Sequence, residues 1–377
     1  MLELRRRAFE GDGEFTYRRT VRGSVAEKYI VEDYTIEGAR KHLQRATLTR
    51  ETPACLELLK VLRRVVPFDC AAVMTTDPET LLPASGIFEG LDPSICEPFW
   101  RCEAGAHDVH RFVDLASDAD PVAALSNALP QTFEDSPRFR EVYSRFPLGD
   151  ELRVVFRAGG ATLGMAAFLR MDPGRTFSQS EQAAMRRLVA PAAALLRREA
   201  LTLPDDDALV APAVALVSSR DEIFGRTPGA EAILSDLRGG ALGSAELPPT
   251  IIAPLARMRG RRASSTLSTR LRGASGRWYR LRVAPVVEQE GVHALSLDPA
   301  GPAELMPLLL RAFEFTVRES QVVSRLVRGL SAKELAAEFA ISTHTAHDHI
   351  KAIYRKAGVR SRGELLARLT GPASAAS

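Results

Sequence analysis

Apolar positions along this chain alternate between two spacings, and the changes of spacing divide it into segments. Leu56, Leu58, Leu59, Val61 and Leu62 cluster at helical spacing, and Cys70 to Met74 forms a short apolar run that predicts a buried strand. A long irregular stretch follows, punctuated by Ile87, Phe99, Trp100, Phe112 and Phe133. Leu152 to Phe156 and Thr162 to Leu169 then predict two strands joined by a hairpin at Gly159-Gly160. Ser178, with Glu181 three residues on, is a capping box opening a helix that continues through Leu188 to Leu196.

The pattern restarts beyond a polar, proline-bearing linker at Pro204 to Asp207. Val214 to Val217 predicts a strand, Pro228 to Leu237 short helical turns, and Pro248 to Met258 a helix. Thr266 to Arg272 and Arg277 to Val283 predict two strands about Gly273-Ala-Ser-Gly276, and Val292 to Leu297 closes the sheet. In the second of these strands Tyr279, Leu281 and Val283 alternate with Arg280 and Arg282, the period of a half-buried strand. Leu305 and Leu308 to Leu310 mark an apolar helix over 302–313. Such a helix either carries signalling or dimerisation, or packs on the sheet before it.

The clearest start and stop signals lie between Phe315 and Leu369 and predict four short helices. The first runs from about Val317 to Arg328, with Val322, Val323, Leu326 and Val327 on one face and Gly329 as its terminator. Ser331 and Glu334 form a capping box for the second, whose buried side is Leu335, Ala336 and Phe339. Ile341 and Ser342 make a turn, and Ser342 caps the third, roughly Thr343 to Ala357. Ala346, Ile350, Ile353 and Tyr354 should face inward, leaving His347, Asp348, Lys351 and Arg355 outward. Gly358 ends it, and Ser361 with Glu364 predicts a second capping box for a fourth helix carrying Leu365, Leu366 and Leu369.

Charge adds a partner to this picture. Phe315 to Leu369 holds ten Lys and Arg against five Asp and Glu, a net +5 in a chain whose total is +3. Positive charge gathered in one small helical segment suits a polyanion; a merely solvated basic surface is the alternative. The segment resembles the LuxR-type helix-turn-helix domain over its full length. That resemblance implies that the third helix lies in the major groove and the second supports it. It implies double-stranded DNA as partner, His347, Asp348 and Lys351 at base-reading positions, and Lys333 and Thr345 against phosphate. Thr343, Arg355 and Lys356 complete the expected DNA-binding set, and Leu365, Leu366 and Leu369 the contact of a homodimer. Two departures stand out: His347 replaces the family's common Lys, and Asp348 brings a carboxylate that could accept from cytosine N4 or simply hold His347 or Arg355.

The helix, strands, loose middle, strand pair and closing helix of 36–200 resemble a GAF domain. Ser136-Pro-Arg-Phe139, Leu148-Gly-Asp-Glu-Leu152 and Arg170 with Phe177 look like GAF-type sensors that precede LuxR readers in actinobacteria. Residues 208–298 resemble a smaller PAS-like domain. The expected fold is therefore multidomain: an α/β GAF-like sensor (36–200), an α+β PAS-like domain (208–298), a linker helix (302–313) and an all-α four-helix helix-turn-helix (314–370). Residues 1–34, charged and without periodic pattern, are expected to be a flexible tail or a mis-assigned start. Arg5-Arg6-Arg7 within them could touch DNA.

Composition excludes several classes. Hydrophobic residues make up 45% and charged residues 26% of 377 positions, ordinary for globular domains. Without an apolar run of about 18 residues or an apolar leader, a cytoplasmic protein without membrane contact is expected. Cys55, Cys70, Cys96 and Cys102 lack paired metal or redox spacing and read as reduced, partly buried thiols. His107 and His110, with Asp108 and Asp114, make an H-x-x-H in a loop setting without a third ligand, so neither metal nor cofactor is expected. Nine arginines and no acid between Arg257 and Arg282 suit an anionic ligand, flanking DNA or, more simply, a solvated face. No phosphate loop or nucleophile elbow is present, so no enzyme is expected. The sequence thus points to a homodimeric DNA-binding regulator with a small-molecule ligand in its GAF-like domain. Two other readings remain: a regulator whose sensor-like domains dock a partner protein, and, lower, a sensor of acyl-homoserine lactones.

Overall fold

The computed structural model describes residues 35–105, 108–128, 136–202, 211–238, 247–260 and 265–370. The expected tail (1–34, with Arg5 to Arg7), His107, Phe133, the 204–207 linker, Arg261 and Arg262 lie outside the described residues.

Thr35 opens the first domain by accepting the Gly38 amide at its side chain, which starts α1 (Ile36–Arg45). Helix α2 (Ala54–Val65) leads into β1 (Cys70–Asp77), every residue of which is buried. The stretch expected to be irregular holds more structure than its pattern shows: β2 (Leu82–Glu89), α3 (Cys96–Ala104), α4 (Phe112–Leu115), β3 (Val122–Ala124) and α5 (Leu125–Ala128). β2 escapes detection because it contains Pro83 and Gly86. It is an edge strand, where a missing donor is tolerated. At Gly86 a Cβ would meet Met74 Cγ at 2.9 Å and the Val73 carbonyl at 3.0 Å. After a π-helical turn at Phe139–Tyr143 come β4 (Asp150–Ala158) and β5 (Ala161–Arg170). Gly159 and Gly160 turn between them with φ of +57° and +79°, as a two-residue hairpin requires. The Ser178–Glu181 capping box is formed, and α6 (Gln179–Ala200) runs on past Pro191.

The second domain repeats the plan at smaller scale: β6 (Val214–Val217), β7 (Ile223–Arg226), α7 (Pro228–Arg238), α8 (Pro249–Arg259), β8 (Leu267–Arg272), β9 (Trp278–Pro285) and β10 (His293–Pro299). The turns expected at 228–237 are one continuous helix, and β7 is an addition. The sheets run β2-β1-β5-β4-β3 and β7-β6-β10-β9-β8, antiparallel throughout, so each places its first strand second from one edge and beside its last. The expected fold class holds: two antiparallel sheet domains and then an all-helical region, α9 (Pro302–Ala312), α10 (Val317–Val327), α11 (Ala332–Glu338), α12 (Thr343–Ala357) and α13 (Arg362–Thr370).

Most arginines of the 257–282 cluster are engaged, not solvated. Asp77, fully buried at the end of β1, takes Arg270 Nη1 at 2.8 Å, the Arg270 amide at 3.0 Å and the Thr269 hydroxyl at 3.1 Å. Arg270 also pairs with Glu79 at 2.5 Å, and Thr80 meets Thr269 at 2.9 Å. Arg272 pairs with Glu199, Arg280 with Glu304, Arg282 with Asp298 and Arg259 with Asp221. The β1–β2 turn of one sheet is thereby bolted to β8 of the other. Removing one partner of a buried ion pair leaves an uncompensated charge, which costs about 3–5 kcal/mol. Arg270→Met should therefore lower unfolding stability by about that amount, while Arg270→Met with Asp77→Leu should restore most of it; denaturant midpoints of both chains check this.

Candidate nucleic-acid interface

The terminal helices are built by caps at every junction. Thr316 and Glu319 form a capping box for α10, a Thr-x-x-Glu signal that sequence reading passed over. Ser331 and Glu334 form the expected box for α11. Ser342 accepts the Thr345 amide at 3.0 Å to start α12, and Gly358 ends it in the left-handed region at φ +66°. The box expected at Ser361 is shifted by one residue: Ser361 Oγ accepts the Glu364 amide, but the Glu364 carboxylate takes the Arg360 amide. Arg362 donates to the carbonyls of Leu326 and Gly329, tying the start of α13 to the end of α10.

Ala346 and Ile353 are buried under α12, Ile350 and Tyr354 half-buried, as their spacing predicts. Thr343, Thr345, His347, Asp348, Lys351 and Arg355 are exposed on its other side, and Lys333 is exposed on α11. His347 Nδ1 lies 2.8 Å from the Thr343 carbonyl. A carbonyl only accepts, so Nδ1 donates and Nε2 is left as the ring's outward group. Asp348 pairs with neither His347 nor Arg355; its carboxylate lies 3.6 Å from His344 Nε2 one turn earlier. His344 went unnoticed in the sequence, although its i, i+4 relation to Asp348 is a readable signal.

Three of the expected site residues have partners within the fold. Lys356 is held within the fold, donating to Glu319 at 2.6 Å and to the Glu314 carbonyl at 3.0 Å. It fastens α12 to α10. The dimer contact expected of Leu365 and Leu369 is occupied: both are fully buried in a cluster with Leu305, Leu308 and Leu309 of α9. Leu366 is half-buried. Helix α9 meets the second sheet, where Glu304 receives Arg280, and its leucines cover α13.

The interior of the first domain, where a ligand was expected, holds a charged network. Glu151 and Arg153 on β4 join Arg138, Asp108, Glu103 and Tyr143 in a buried network. Arg138 reaches Glu151 and Asp108 at 2.9 Å, and Arg153 reaches Glu103 at 2.5 Å and Glu151 at 3.0 Å. Burial alone would raise the Glu151 carboxyl, but the two guanidiniums outweigh it and hold it low. Asp108 pairs with Arg138 and Asp114 with Arg111. The cysteines are free, and burial pushes the Cys70 and Cys102 thiols up to about 11 and Cys55 well above its ordinary value. Among the described residues no helix is long and apolar enough to cross a membrane.

Residues 314–369 match the family of bacterial regulatory proteins, luxR family. Over 54 residues the chain is 39% identical to the probable HTH-type transcriptional regulator GfsR of Streptomyces halstedii; the match spans 14% of this chain and 22% of that relative. Among solved structures, the GAF domain from Acinetobacter phosphoenolpyruvate-protein phosphotransferase aligns over 45% of this chain and 95% of its own, at 11% identity and a TM-score of 0.31. The bacteriophytochrome RpBphP3 from R. palustris aligns over 73% and 64%, at 16% identity and 0.32. The terminal segment, 314–369, is a LuxR-family helix-turn-helix domain.

Glu319 makes that domain acid-sensitive. Burial opposes its ionisation, but the Lys356 ammonium and the Thr316 amide and hydroxyl prevail and hold its carboxyl below the usual range. A depressed carboxyl stabilises the fold above its unfolded-state value, about 4.3, and loses that contribution as pH falls through the folded one. The stability gap between the natural chain and Glu319→Gln should be constant near neutrality and shrink below about pH 4. Thermal unfolding across that range checks it, and a gap independent of pH would count against the Lys356 clamp.

Proposed function

We propose that this chain is a homodimeric transcriptional regulator whose terminal domain reads the DNA major groove with α12, under control of the two sheet domains before it. The carrying observation is the exposed polar face of α12 in a segment that matches a regulator family. In this reading the functional units are 36–200, 208–298, 302–313 and 314–370. His347, Asp348 and Lys351 face base edges; Lys333, Thr343, Thr345 and Arg355 lie toward the backbone; Lys356 positions the helix. With Nδ1 committed to Thr343, a neutral His347 offers Nε2 as an acceptor, matching the amino group of cytosine or adenine. The Asp348 carboxylate offers acceptors beside it.

Lys351→Ala should weaken DNA binding in filter or fluorescence titrations. If Lys351 touches only phosphate, the loss is uniform across sequences and the salt slope falls by about one ion. If it reads a base, the loss is about 1–3 kcal/mol and confined to one operator position. Unchanged affinity and slope would mean that α12 docks otherwise.

Dimerisation through α13 requires α9 to leave it, because Leu365 and Leu369 have no exposed surface where they stand. Control therefore acts on pairing of readers, since α12 is already uncovered. Leu309→Glu in the full chain should raise the dimer fraction in sedimentation and tighten binding to a two-half-site duplex. A variant that keeps its helix content yet shows neither change would remove α9 from the mechanism.

A further inference from the structure

A partly open cavity of ≈ 1040 Å³ lies between the two sheet domains, within reach of both and outside the charged network of the first. Leu56, Ile87 and Leu237 give it apolar walls. Its polar lining includes the Glu51 and Glu199 carboxylates, but the buried groups that lack a partner there are donors. Thr250, in the first turn of α8, is 5% exposed, and its hydroxyl has no hydrogen-bond partner. Arg272 Nε is likewise buried without a partner, while its Nη1 reaches Glu199 at 3.2 Å. Arg238, 8% exposed, adds a second guanidinium to the lining. Thr250 also stands at the positive end of the eleven-residue α8, where it carries the first N–H after the capping Pro248 and the opening Pro249.

Buried donors without acceptors cost free energy that a ligand recovers by supplying an acceptor. Donors at one end, a helix N-terminus and apolar walls define a site for an elongated molecule with an anionic head. We propose that this cavity binds a small amphipathic anion, its carboxylate or phosphate on Thr250 and Arg272 and its apolar body along Leu56, Ile87 and Leu237. The cavity volume is at the upper end of the range for small-molecule sites, about 300–1000 Å³.

The site has a route outward. Glu199, which holds Arg272, also accepts the Ala54 amide at 3.0 Å and lies in the last turn of α6. Two residues earlier, Arg197 pairs with Glu314 at 2.7 Å, where the terminal domain begins. An anion that draws Arg272 away from Glu199 therefore acts on the helical turn that holds Glu314.

The test is calorimetric titration of the full chain, without DNA, using decanoate, decyl phosphate and decanol. The two anions separate a carboxylate from a phosphate head; one or both should bind, and decanol about tenfold or more weakly. Arg272→Gln should erase the preference for the anion. Thr250→Val, nearly isosteric and free of the Glu199 pair, should weaken the preferred anion while leaving the thermal midpoint of the unliganded chain near that of the natural one. Binding of neither anion, decanol as tight as both, or Thr250→Val with undiminished anion affinity would each overturn the proposal. Because no DNA is present, failure here leaves the reading of α12 intact.

Discussion

The buried carboxylate of Asp77 is the constraint on which the arrangement turns. A charge taken wholly out of water persists only if its oxygens are matched by donors. Here the donors come from the Arg270 guanidinium and amide, the Thr269 hydroxyl and the Glu79 amide. Three of the four belong to the second domain. The first sheet thus cannot satisfy its own strand end without the other sheet in place, and the space between them, with its unmatched Thr250 and Arg272 donors, exists because that pairing holds the sheets at a set separation. Arg270 Nε also donates to the Glu304 carbonyl, so the same side chain reaches the first turn of α9.

Polar chemistry is distributed unevenly between the two places where a ligand could sit. Inside the first domain, Arg138 and Arg153 are met by Glu103, Asp108 and Glu151, and Tyr143 donates to Glu151 at 3.0 Å. The phrases that resemble GAF-type sensors supply much of this set: Arg138 and Glu151 in the network, Asp150 receiving Ser126 and the Phe177 amide, and Arg170 over the Phe177 ring at 4.2 Å. Those residues hold the domain together. Arg153 Nη2 is left over in that network, and the Thr250 hydroxyl and Arg272 Nε are left over at the border with the next domain.

Legibility in the sequence followed the range of the forces involved. Caps, turns and helical faces act over three or four residues, so the terminal helices, the Gly159-Gly160 hairpin and the Ser178 box were readable in place. β2 was not, because an edge strand tolerates Pro83 and Gly86 and so lacks alternation. The arginine cluster misled for a different reason. Asp77 lies 193 residues from Arg270, and a run of cations carries no mark of acids that distant. Likewise, the burial of Leu365 and Leu369 depends on α9, whose apolar face was visible but whose partner was not.

Helix α9 carries a further property in its own backbone. Pro307 sits inside it, where it has no amide to offer the carbonyl one turn back, and Pro302 begins it. The rod between the sheet domains and the terminal helices is therefore weakest near its middle. Its first turn is gripped by Arg270 and Arg280, and its later leucines are seated on α13. A helix bends most readily where that bond is missing, so α9 is a jointed link between its two grips and not a uniform spacer.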